Sequence, residues 1–382
     1  MDDMTLREFL DSWNSPSKTL LVHTSGSTGK PKPMWVEKQR MLNSARITCD
    51  FLGLKPGDTA LLCMSLNYIA GKMMVVRSIE RGLRLVSVKP CGHPLSDEAL
   101  SQAIQENPSA LPFSDLAFDF VAMVPMQVYN SLQVPIERER LKKIKHLIIG
   151  GGAIDEALAA QLQALPHAVW STYGMTETLS HIALRRLNGA EASDWYQPFD
   201  SVNVYANEEG CLVIDAPLVC EKPLVTNDIV EIKQAVEYHG VPGLKKPKVL
   251  FKIKGRKDNV ICSGGIKIQI EEVEDLLRPH LSAPFMLVKK ADEKFGEIAV
   301  LVTESDSLKE VEAICRQVLP KYWIPKEFIH YEHLPLTDTG KPKRALYQRA
   351  TGDAKRGGNG RENADGNLND DFPSIFLHND FV

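Results

Sequence analysis

The sequence predicts an α/β protein in two units: a large N-terminal α/β part closed by a β-rich region, and a small C-terminal α+β part. Three observations carry this. Short β-rich runs alternate with helix-spaced stretches through the first half, which is the signature of parallel strands joined by helices. From about Val202 the pattern changes to strand and turn. After Asp258 a second, independent alternation of strands and helices begins, long enough for a small domain of its own.

Taken in order, "KTLLVH", "DTALLCM", "RLVSV", "FVAMVP", "HLIIGG" and "HAVWSTYG" are strands by their apolar and β-branched content. Between them, Val36–Leu52, Asp97–Asn107 and Asp155–Ala164 carry helical spacing. "VNVYANEEGCLVIDAPLV", "IVEIK" and "KVLFKIKGR" form a mostly antiparallel closing region, with "NEEG" and "RKDN" as turns. In the second unit "IEEVEDLLRPHL" and the Ser-capped "SLKEVEAICRQVL" are helices around the two strands of "PFMLVKKADEKFGEIAVLVTES", a β-α-β-β-α pattern. Residues 1–257 are thus expected to form the large domain and 258–350 the small one. The stretch 351–382, rich in Gly, Asn and Asp, is expected to be a disordered tail.

Composition excludes several classes. The chain has 382 residues, 43% of them hydrophobic and 25% charged, with a net charge of −4, so neither nucleic acid nor an anionic membrane is an expected partner. Its seven cysteines are scattered without a C-x-x-C pair, which argues for reduced thiols and against a disulfide frame or zinc site. The first residues, "MDDMTLREFLDSW", are acidic and amphipathic, unlike a signal peptide. No apolar run approaches the ~20 residues of a bilayer span. A cytoplasmic location is expected.

"TSGSTGKPK" (24–32) follows the first strand, and its hydroxyls, glycines and lysines point to phosphate. It is not a Walker A loop. Thr24 stands where the first glycine belongs, and Pro31 replaces the metal-binding hydroxyl and removes an N–H. What remains is a donor-rich loop able to follow the charge of a polyphosphate through a reaction.

Three further stretches follow in order: "YGMTE" (173–177), "GRKDNVICSGGIKIQIEEVE" (255–274) and "LTDTGKPKR" (336–344). Together they resemble the adenylate-forming superfamily of acyl-CoA ligases, luciferases and adenylation domains, from Thr24 to Arg349. The resemblance implies a two-step reaction: a carboxylate attacks the α-phosphate of ATP, pyrophosphate leaves, and coenzyme A takes the acyl group. Thr24, Ser25, Gly26, Ser27, Thr28, Gly29 and Lys30 would hold the phosphates, and Glu177 would hold Mg²⁺, a hard cation that prefers oxygen ligands. Gly151, Gly152, Ala153, Tyr173, Gly174 and Thr176 would bind adenine, and Asp228 and Arg256 the ribose. Asn227 stands at the usual middle glycine of the ribose motif, a residue that tolerates left-handed angles. Asp258 falls at the family's hinge. Lys341 would draw carboxylate and α-phosphate together as the catalytic lysine. After rotation of the small domain, Gly264 and Gly265 would admit the pantetheine arm.

Among these enzymes the chain looks most like the o-succinylbenzoate–CoA ligases of menaquinone synthesis, through "GRKDN…SGG…IEEVE", "SLNYIAGKMMVVRSI" and "VPMQVY". Arg77 in the second of these would meet the distal carboxylate of a dicarboxylic acid. Two departures stand out. "SLNYIAG" lacks the family's histidine, and the phosphate loop begins unusually early, so a large domain shortened at its N-terminus is expected, with a second subunit covering the exposed flank. Rival readings are an acid–CoA ligase for another aryl or acyl acid, and a non-catalytic nucleotide-binding relative.

Overall fold

The computed structural model describes residues 3–23, 32–106, 117–152, 154, 156–234, 249–335 and 344. The chain starts with helix α1 (Leu6–Asn14). Thr5 and Glu8 cap it reciprocally, Glu8 N–H donating to Thr5 Oγ1 and Thr5 N–H to the Glu8 carboxylate. Strands β1 (Thr19–His23) and β2 (Pro33–Glu37) pair antiparallel as a hairpin, with Leu20 opposite Val36. "KTLLVH" is therefore a strand, but it lies outside the parallel sheet. Its pairing also moves the expected helix start: Val36 and Glu37 belong to β2, and α2 runs Lys38–Leu52, ending at Gly53.

The parallel core follows as β3 (Thr59–Leu62), α3 (Ile69–Arg81), β4 (Arg84–Ser87), α4 (Asp97–Glu106), β5 (Phe120–Met123), α5 (Pro125–Gln133), α6 (Pro135–Lys142), β6 (His146–Ile149), α7 (Glu156–Leu162) and β7 (Ala168–Gly174). Strands β8 (His181–Arg186) and β9 (Gln197–Pro198) add antiparallel pairs. The order is β4-β3-β5-β6-β7-β8-β9. "TALL" and "FVAM" are buried along their whole length, as expected of strands covered on both faces. From β3 the chain steps to β4 on one side, then returns to β5 on the other. Such a reversal opens a crevice at the carboxyl ends of the strands, where open α/β sheets bind ligands.

Strands β10 (Asn203–Ala206), β11 (Cys211–Asp215), β12 (Leu224–Gln234) and β13 (Val249–Arg256) form the expected antiparallel closing sheet in chain order. In its register Asp228 faces Arg256.

The C-terminal elements are β14 (Val260–Ser263), β15 (Ile266–Gln269), α8 (Ile270–Leu277), β16 (Phe285–Asp292), β17 (Gly296–Thr303), α9 (Leu308–Val318) and β18 (Glu327–His330). Both expected helices and the strand pair of the second unit are present. The unit opens on a hairpin and closes on a further strand, β18, parallel to β17. Arg344 is held to this unit by the buried Glu274: its Nη2 donates to both carboxylate oxygens at 2.7 and 2.6 Å, and its Nε donates to the Leu287 carbonyl. Residues 351–382 lie outside the described residues. Among the described residues no helix is long and apolar enough to cross a membrane.

Candidate active site

Tyr173 is the last residue but one of β7, the strand that pairs with β6. Its ring meets Phe251 edge-on at 5.1 Å between centroids and Tyr196 at 5.8 Å, so three aromatic rings from β7, β13 and the segment before β9 form one cluster. The phenol donates to Asp228 Oδ2 at 2.5 Å. Burial, reinforced by the Asp228 charge, pushes the Tyr173 hydroxyl well above its ordinary range, so it is a fixed donor at neutral pH.

Asp228 Oδ1 accepts from Arg256 Nη1 at 3.3 Å, and Arg256 turns its Nε and Nη2 to the two oxygens of Asp258, both at 2.9 Å. The bidentate bond raises the Arg256 pKa. Burial would lift the Asp258 carboxyl, but the Arg256 bond outweighs it and holds that carboxyl low. Tyr173, Asp228, Arg256 and Asp258 thus form one continuous chain of hydrogen bonds across β7, β12, β13 and the turn after it. Each Asp228 oxygen accepts one of these bonds and keeps capacity for further donors.

Gly151 and Gly152 lie against Val124 and Pro125 at the start of α5, at the carboxyl ends of β5 and β6. Gly174 is needed for close approach: a Cβ there would lie 2.2 Å from the Ser180 carbonyl oxygen. Thr176 is buried and Glu177 exposed within one turn of 3₁₀ helix, after which Leu179 takes φ +64°, a costly angle for a side-chain-bearing residue. The Glu177 carboxylate has no ion pair among the described residues, and its exposed oxygens suit a hard cation such as Mg²⁺. Gly264 and Gly265 are the two loop residues of the β14–β15 hairpin, with φ of +58° and +84°. A two-residue hairpin loop of that hand demands glycine-like residues whether or not coenzyme A passes. Thr24, Ser25, Gly26, Ser27, Thr28, Gly29, Lys30, Ala153 and Lys341 lie outside the described residues.

Arg77 is 2% exposed and has no carboxylate within ion-pair distance among the described residues. Its Nη2 donates to Ser180 Oγ at 2.5 Å, its Nη1 meets the Met74 sulfur at 4.0 Å, and its Nε has no partner. Burial lowers its pKa to about 10, leaving it charged at neutral pH. Beyond Ser180 the contacts continue to His181 Nδ1 at 3.3 Å, and from His181 Nε2 to Thr48 Oγ1 at 3.0 Å, whose hydroxyl donates to the Ser44 carbonyl. From Ser180 onward every side-chain donor is satisfied if His181 is neutral with its proton on Nε2. Burial and the Arg77 charge both keep it neutral. Arg77 was visible in the sequence. Thr48, Ser180 and His181 were not, because they come from distant segments with no motif of their own.

The sheet with its loop-bound site at the carboxyl ends of the strands defines a class: the chain belongs to the AMP-binding enzyme family, whose model matches residues 9–212. More particularly, it is 26% identical over 332 residues to the 2-succinylbenzoate–CoA ligase of Bacillus cereus (strain Q1), a match covering 82% of this chain and 66% of that one. The enzyme of the same name from Bacillus mycoides (strain KBAB4) is also 26% identical, over 333 residues, with the same coverage. The chain therefore spans just under two thirds of the length of these curated relatives. The acyl-CoA synthetase (AMP-forming)/AMP-acid ligase II-like protein from Dyadobacter fermentans DSM 18053 is 33% identical, with TM-score 0.55, covering 91% of this chain and 92% of that one. The o-succinylbenzoate coenzyme A synthetase of Bacillus subtilis, solved with ATP and magnesium ion, is 22% identical with TM-score 0.64, covering 85% and 68%, and so shares the fold.

Proposed function

We propose that the protein is an AMP-forming acid–CoA ligase, joining o-succinylbenzoate to coenzyme A through an acyl-adenylate, as a step in menaquinone synthesis. The observation that carries the nucleotide half is the bonded series Tyr173–Asp228–Arg256–Asp258. Its aromatic end offers a face for adenine, and its carboxylate offers acceptors for a pair of ribose hydroxyls. Mg²⁺ held between Glu177 and the nucleotide would neutralise phosphate charge. On the residues' side, the 24–30 loop would hold the leaving pyrophosphate, and Lys341 would bring the two anions together and offset charge in the transition state.

The buried Arg77 supports the substrate. A guanidinium sealed from water without a carboxylate costs several kcal/mol, and the second carboxylate of a dicarboxylic acid would offset that cost in the liganded state. A simple aryl or fatty acid would leave the charge unpaired. The names of the curated relatives point the same way. Pyrophosphate release from ATP tests this, with o-succinylbenzoate, benzoate and a medium-chain fatty acid compared, each with and without coenzyme A. Release dependent on o-succinylbenzoate is expected. Release with benzoate or the fatty acid in its place would move the substrate and remove the role given to Arg77.

A further inference from the structure

The turn after β13 is gripped from both sides. Its three residues, Lys257–Asn259, each reach a different partner. Lys257 Nζ pairs with Glu209 Oε1, in the turn between β10 and β11, at 2.6 Å. Asp258 takes the bidentate bond from Arg256, and Asn259 Nδ2 donates to Glu271 Oε1 at 2.5 Å. Glu271 stands in the first turn of α8, and its other oxygen accepts from Gln269 Nε2 at 2.5 Å. The same amide nitrogen donates to the Arg256 carbonyl at 3.0 Å. A side-chain amide has two N–H donors, so both of those in Gln269 are committed.

Gly255 makes room for this arrangement. The register against β12 passes from Ile229–Gly255 to Val230–Ile253, a bulge that leaves Lys254 over and turns the end of β13. Gly255 takes φ +149°, an angle that residues with side chains rarely adopt. A Cβ there would lie 2.4 Å from Gln269 Nε2 and 2.8 Å from its Cγ. The Gln269 side chain thus lies against backbone that precedes Asp258, while its own backbone follows Asp258. Its bond to the Arg256 carbonyl and its packing on Gly255 cross that residue, and its bond to Glu271 does not.

We infer that Gln269 is a positioning residue of the reaction: a latch, its amide held ready by Glu271, that fixes the C-terminal elements in one orientation and releases them when they turn about Asp258. This rests on the two-step reaction proposed above, in which adenylate formation and thioester formation need different faces of those elements at the acid. A turn about Asp258 carries Gln269 off Gly255 and breaks its bond to the Arg256 carbonyl. Both groups are neutral and the amide is half-buried, so water replaces each partner and the latch can open in every cycle. Arg256 also holds Asp228, so the latch bears on the strand end that carries the ribose contact. One neutral hydrogen bond shifts a two-state equilibrium about fivefold.

The experiment compares the full chain with Gln269→Leu and Glu271→Gln. Adenylation is read as labelled pyrophosphate exchange into ATP with o-succinylbenzoate and no coenzyme A. Thioester formation is read separately, from synthetic o-succinylbenzoyl adenylate and coenzyme A. Gln269→Leu fills similar space without donors, so the two rates should move in opposite directions and their ratio should change about fivefold. Glu271→Gln should shift the ratio in the same sense by less. Rates that fall together, as a merely structural role would give, or a ratio equal to that of the parent chain, overturn the latch. A second readout needs no substrate: backbone amide exchange across 256–260, followed by mass spectrometry, should be severalfold faster in Gln269→Leu. Unchanged protection also overturns the latch. A parent chain that performs neither half-reaction would instead defeat the two-step reading, with amide exchange still deciding whether Gln269 holds the turn.

Discussion

Arg77 sets function against stability at a single residue. Its charge is buried without a carboxylate, and replacing a buried ion by an apolar side chain of similar size is often neutral or stabilising by about 1–4 kcal/mol. Arg77→Met should therefore raise the unfolding free energy in urea by about 1 kcal/mol while abolishing o-succinylbenzoate-dependent pyrophosphate release. A loss of both stability and activity would assign Arg77 to packing. His181 gives a second residue-scale prediction. Its folded pKa is depressed below the ordinary 6.5, so the native state binds fewer protons than the unfolded chain. The stability it contributes is complete above pH 6.5 and is lost as pH falls further, with a slope of up to about 1.4 kcal/mol per pH unit. Thermal unfolding followed from pH 7 to 5 should show this decline, and His181→Gln should flatten it. An equal slope in the variant would place the acid sensitivity elsewhere.

At the scale of elements, most strands of the first half and the helices α2, α4 and α7 were legible because apolar strands buried on both faces and helix-spaced segments differ plainly in sequence. The boundary at α2 was misplaced because Val36 satisfies both patterns, and its cross-strand partner Leu20 decides between them. α3 and α5 are legible only through the family resemblance of "SLNYIAGKMMVVRSI" and "VPMQVY", not through helical spacing. The "SGG" stretch holds the opposite lesson. The resemblance gives its glycines to coenzyme A, and the β14–β15 hairpin requires them on its own account as well. Gly265→Ala should cost about 1 kcal/mol from backbone angle alone, since nothing lies within 4 Å of the added methyl. The urea midpoint measures it, and a wild-type midpoint would leave passage of coenzyme A as the reason for that glycine.

For the whole molecule, motif order announced the family, but the contacts that join the motifs were not legible. Asp228 meets Arg256 through sheet register, and Tyr173 meets Asp228 across two sheets. No linear pattern encodes either. Arg344 is a further case: a basic residue after "TGKPK" in sequence, and in space the bidentate partner of Glu274. Arg344→Ala would leave a buried carboxylate unpaired, a loss of about 3–5 kcal/mol for a pair of this kind. It should also slow adenylation, because Lys341 lies three residues before that anchor. Denaturant unfolding alongside pyrophosphate release checks both parts, and normal stability would show the pair to be dispensable.

Acyl-adenylate formation is tested most directly by exchange of labelled pyrophosphate into ATP. With o-succinylbenzoate present and coenzyme A absent, the protein should catalyse the exchange, and Lys341→Ala should abolish it while still binding ATP. Exchange that proceeds equally without the acid, or that survives loss of Lys341, would contradict acyl-adenylate formation at this site.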